Sequence, residues 1–123
     1  MKNIDTNYVA IGAIWLVLGM GFGIYMGAAE KFQFTPVHAH MNLLGFACHG
    51  IFGLTYRNWP AMKSLRLAPY QFWIFVVATP VTLIGLVFTV TGGPVLPTIL
   101  GSFGLLTGAA LFCIMIWQVR AAT

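Results

Sequence analysis

Two histidines, His38 and His40, stand two residues apart just after Pro36, at the start of a long apolar segment. Imidazole is costly inside a membrane, and ligation of haem iron or of a metal ion is the chemistry that most readily justifies it there. Spacing limits what the pair can do. On an α-helix, residues i and i+2 diverge by about 200°, whereas ligand pairs that hold one ion from one helix sit at i,i+3 or i,i+4. The two imidazoles therefore serve two different centres, or the same kind of centre in two neighbouring copies. The plainer alternative is that both finish the helix start and face interfacial water. His49 lies about 16 Å deeper than His38 along the same helix, too far to share an iron with it. It reads as a neutral imidazole hydrogen-bonded to a neighbouring helix beside Gly45 and Gly53, with a metal ion such as copper as the other option.

The elements that must position these side chains follow from composition. Of 123 residues, 59% are apolar and 7% charged, and the mean hydropathy is +0.89. No soluble domain of this size could cover its surface with so few polar groups. Four apolar stretches, at about 7–29, 36–59, 69–90 and 94–119, are each long enough to cross a hydrocarbon core about 30 Å thick as a helix. The expectation is an all-α integral membrane four-helix bundle forming one domain over residues 1–123. Pro36, Pro69 and Pro94 open three of the stretches, where a missing N–H costs nothing. The first stretch is read as a retained span and not a signal peptide, because its apolar run is long and Glu30 and Lys31 follow it directly. Cys48 and Cys113 lack a CxxC partner and read as small buried hydrophobes.

The formal charge of +4 comes from basic residues scattered at segment ends, which form no patch, so nucleic acid is not an expected partner. If the loop carrying Arg57, Lys63 and Arg66 is cytoplasmic, Lys2 and Arg120 also fall inside and only Lys31 falls outside. The predicted topology has both termini cytoplasmic, with a lipid bilayer as partner and a bacterial inner membrane as location. On the second span, the most polar, His38, Asn42, Gly45, His49 and Gly53 fall on one stripe. Gly19, Gly23 and Gly27 repeat every four residues on the first span, and Gly104 and Gly108 do so on the fourth. Such stripes serve helix packing inside one bundle, a subunit interface, or a flat wall for a macrocycle.

Residues 35–60, TPVHAHMNLLGFACHGIFGLTYRNWP, resemble the tenth transmembrane helix of haem-copper oxidase subunit I. There an HxH pair opens the helix, small and aromatic residues follow, and an aromatic-Pro pair, here Trp59-Pro60, often closes it. The other three spans match that family only in being apolar. In the family the first histidine binds a high-spin haem and the second a low-spin haem, so the resemblance implies that His38 and His40 are haem ligands. No CxxCH is present, which makes the expected group a non-covalent haem b. Lys31, with Gln33, is the expected propionate partner, or else a plain interfacial anchor; Asn42, one turn below His38, joins as a cofactor contact. The family subunit has about twelve helices in three arcs of four, whereas this chain matches one arc. It therefore points to a homotrimer resembling the twelve-helix core, in which each pocket receives His38 from one chain and His40 from the next.

The family's copper site needs three further histidines and a crosslinked tyrosine, and only His49 is left over, so proton-pumping oxygen reduction is not expected. The implied function is electron transfer or gas and redox response by a bis-histidine haem, with a quinone or a cytochrome as electron partner. As an enzyme the chain would be an oxidoreductase, oxidising quinol or reducing oxygen or nitric oxide. The competing reading is a non-enzymatic accessory or assembly subunit, or a small metal transporter, without haem.

Overall fold

The first apolar stretch carries no proline and a single charged residue, Asp5, and it folds as one unbroken helix over Ile4–Ala29. It stops where Glu30 takes a left-handed conformation (φ 54°), which turns the N–H groups of Glu30 and Lys31 back onto the Met26 carbonyl. The computed structural model describes residues 1–122, and among these the chain is all-helical, with no strand. The second helix is continuous over 35–58 but is built from three segments, Thr35–His40, a π-helical Met41–Cys48, and His49–Asn58. A short 3₁₀ turn, Pro60–Ser64, leads into the third helix, Ala68–Val90, and the fourth runs over Leu96–Ala122.

One expectation is corrected, at the start of the fourth helix. Pro94 lies before the fourth helix, and Pro97 occupies its first turn instead, as Pro36 and Pro69 do in theirs. Three helices, the first, third and fourth, are long and apolar enough to cross a membrane. The second does not stand beside them on those grounds, because three histidines, Asn42, Thr55 and Tyr56 dilute its apolar run and the π segment interrupts its α-helical register.

The helices pack as two antiparallel hairpins, first with second and third with fourth. Glycines set both approaches. A Cβ at Gly53 would fall 2.8 Å from the Asp5 carbonyl oxygen, and one at Gly108 3.0 Å from Phe75 Cβ, so each pair of backbones meets where a side chain is missing. Gly104 likewise sits against Ala78, whereas Gly27 meets nothing within 4 Å. The fourth-helix glycines, together with Gly19 and Gly23, thus serve packing within one chain. We expect Gly53→Val to cost about 1–3 kcal/mol, since the opposing atom is backbone and cannot step aside. Gly27→Ala is expected to be neutral or to stabilise by about 0.5–1 kcal/mol through helix propensity. Thermal unfolding of the two variants in one detergent checks both signs.

The hairpins join along an aromatic and polar seam. Phe52 stacks near Phe75 and Phe112, with ring centroids 4.8 and 4.3 Å apart, and Tyr8 meets Phe72 edge-on at 4.8 Å. Inside this seam Gln71, fully buried, accepts hydrogen bonds through Oε1 from Tyr8 (2.8 Å) and Tyr56 (3.0 Å). Its own amide reaches the Gly108 carbonyl at 3.4 Å, so one side chain ties four helices together. The core of Ile4, Tyr8, Tyr56, Met62, Phe72, Met115 and Val119 gathers at the end where the chain termini lie. The histidine pair opens the opposite end.

Candidate functional site

Pro36 starts the second helix with its φ already set, and the α-helical turn Thr35–His40 keeps the two histidines on diverging faces. His38 turns inward. A Cβ at Gly23 would lie 2.7 Å from His38 Cε1, so the imidazole rests directly on the first helix. Asn42 follows one turn later against Gly19, and its amide donates to His38 Nε2 at 3.4 Å. That leaves His38 Nδ1 buried and without a partner.

His40 lies on the other side of the helix and is half-buried. Its Nδ1 lies 2.6 Å from the Pro36 carbonyl oxygen, an atom that can only accept, so Nδ1 carries the proton and Nε2 keeps a lone pair. Histidines that bind metals show this arrangement, with one nitrogen held by a carbonyl and the other free to ligate. Lys31 and Gln33 are exposed at the same end of the bundle.

His49 is placed differently from the expectation. It bonds to its own helix: Nδ1 donates to the Leu44 carbonyl, five residues back, at 2.7 Å. The wider i→i+5 turn of the π segment brings that carbonyl under the ring. Nε2 is buried and unpartnered, and the imidazole is walled edge-on by Tyr8 and Phe75 at 5.6 and 5.3 Å. The wider turn does not disperse the stripe: His38, Asn42, Gly45, His49 and Gly53 all meet the first helix.

The donor chemistry of His40 fits an axial haem ligand, because its free nitrogen belongs to a half-exposed ring already fixed in tautomer. His38 fits only if its imidazole leaves Gly23 and Asn42. His49 does not fit a macrocycle, since aromatic rings enclose it, and among the described residues no three His, Cys, Asp or Glu side chains are grouped as a metal site.

Tyr8 and Gln71 were not singled out by residue type and spacing. Gln71 did carry a signal, as the one amide in a stretch otherwise made of apolar, hydroxyl and small residues. Asp5, in the first turn of the first helix, is 6% exposed and paired to Lys63 at 2.9 Å. Of the four tryptophans, Trp59, Trp73 and Trp117 are exposed, whereas Trp15 packs over Gly45. No protein-family model, no curated protein and no solved structure matches this chain.

Proposed function

We propose that the chain is a membrane haem b protein in which His40 supplies one axial nitrogen and a histidine of a second copy supplies the other. The observation that carries this reading is the His40 ring, with Nδ1–H given to the Pro36 carbonyl and Nε2 left outward. The second helix crosses the bilayer with the other three, its polar stripe covered by the first helix, and the histidine end faces away from the cytoplasm. Divergence of the pair is the reason a second copy is needed: one chain cannot bring both imidazoles to one iron. A homotrimer that pairs His40 with His38 of the next chain, as in one arc set against another, requires His38 to swing off Gly23. Bound in this way, haem b would supply a one-electron couple and, on loss of one ligand, a place for oxygen or nitric oxide. The residues of this chain hold the imidazole tautomer and offer Lys31 and Gln33 to the propionates.

A second reading has its own support. His38, Asn42, Gly19 and Gly23 form a packed contact that holds the first two helices together with no cofactor, which suits an accessory membrane subunit. Native mass spectrometry of the detergent-purified chain separates the two. An oligomer that carries haem b supports the first reading. A monomer with haem overturns the shared pocket, and a haem-free species from haem-replete cells favours the second.

A further inference from the structure

Five of the six Lys and Arg residues, Lys2, Arg57, Lys63, Arg66 and Arg120, gather at the end of the bundle opposite the histidine pair. At that end the first and second helices leave a groove of about 370 Å³ on the outer face, lined by Val9, Ala10, Ala13, Gly53 and Leu54, with Arg57 at its mouth. The wall is apolar and shallow, because three of its residues are alanine or glycine. The mouth carries a surplus cation. Asp5 is 2.9 Å from Lys63 Nζ and 3.8 Å from Arg57 Nη1, so one carboxylate stands between two positive groups. Lys63 is the closer partner and is 23% exposed; the Arg57 side chain is 69% exposed and sits at the limit of ion-pair range.

We propose that this groove seats an anionic phospholipid, with an acyl chain along residues 9–13 and the phosphate on the Arg57 guanidinium. Guanidinium matches phosphate in a two-point hydrogen-bonded geometry, and the amphipathic layout of the groove matches a lipid that has its charge at one end. Charge decides against a second copy as the occupant. A parallel copy seated in this groove would set its own basic end directly against Arg57, so an oligomer would meet along another face. The inference rests on membrane residence and on the Asp5, Lys63 and Arg57 geometry, independently of haem at the other end.

The test titrates the full chain, delipidated in a mild detergent, with phosphatidylglycerol and with phosphatidylcholine of identical acyl chains, and follows lipid adducts by native mass spectrometry. Phosphatidylglycerol is expected to bind about fivefold more tightly, the effect of one basic contact at a membrane surface. Arg57→Gln is expected to remove that preference, whereas Arg66→Gln keeps it. Ala10→Leu fills the groove and weakens both lipids. Circular dichroism and the thermal midpoint verify that each variant is folded. Equal binding of the two lipids, or unchanged preference in Arg57→Gln, overturns the proposal. So does displacement of phosphatidylglycerol by millimolar inorganic phosphate, which would mark a bare phosphate site, or loss of an oligomer instead of lipid in Ala10→Leu, which would mark a subunit contact.

Discussion

His40→Ala protein, purified from haem-replete cells, is expected to hold at most about a tenth of the haem found in the unsubstituted chain. The magnitude follows from ligand chemistry: loss of a group that merely orients a ligating histidine costs about 10–100-fold in affinity, and removal of the ligand costs at least as much. His40 has the requisite geometry, with its tautomer held by the 2.6 Å bond to Pro36 and its second nitrogen outward. His38→Ala removes the other axial ligand of a shared site, so haem content should fall as well, and the haem that stays bound should change from a six-coordinate low-spin to a five-coordinate high-spin spectrum. It also removes the ring that fills the space over Gly23, so some loss of thermal stability accompanies it. His49→Phe is the control. Its ring lies in an aromatic enclosure away from the pair, and haem content and spectrum should stay as they were. Visible spectra and haem per chain for the three variants read all of these outcomes, and a His40→Ala protein with full haem and a low-spin spectrum would reassign the ligand.

Gln71→Leu is expected to destabilise the bundle by about 1–3 kcal/mol in detergent. Single interhelical hydrogen bonds in membrane proteins are worth only about 0.6 kcal/mol on average. Gln71 is a larger case because its loss takes the near acceptor from two fully buried phenol hydroxyls, leaving Tyr8 only the residue-71 carbonyl at 3.4 Å and Tyr56 only the Met115 sulfur at 3.8 Å. Leucine keeps the side-chain bulk, so the penalty measures unpaired hydroxyls more than a cavity. Adding Tyr8→Phe to Gln71→Leu should then recover part of the loss, because a donor left with only a long bond is removed along with it. Additive costs across the Tyr8 and Gln71 variants in a double-mutant cycle would contradict a shared network.

Much of the architecture is written in periodicity and punctuation. Apolar runs marked four helices, three of them long and apolar enough to cross a membrane, and the glycines at 19, 23, 104 and 108 marked where neighbouring helices pack closely. The divergence of His38 and His40 was legible too, because both lie within regular α-helix before the π segment begins. Other features were hidden for physical reasons. A π segment depends on which carbonyl a side chain can capture, as His49 captures that of Leu44, and hydropathy does not register it. Tyr8 and Tyr56 have the amphipathic character of interfacial residues, and only a partner on a third helix, Gln71, draws them into the core. Asp5 looked like a terminal polar residue until a loop far along the chain brought Lys63 to it. Long-range polar pairing is a property of the assembled bundle, and no local window contains both halves of it.

The central claim is that this chain holds haem b through His40. The most direct measurement is the visible spectrum, with iron stoichiometry, of the wild-type protein as purified from haem-replete cells. A reducible low-spin b-type spectrum with iron in fixed ratio to chain is expected. A colourless, iron-free preparation that is folded and helical would contradict it.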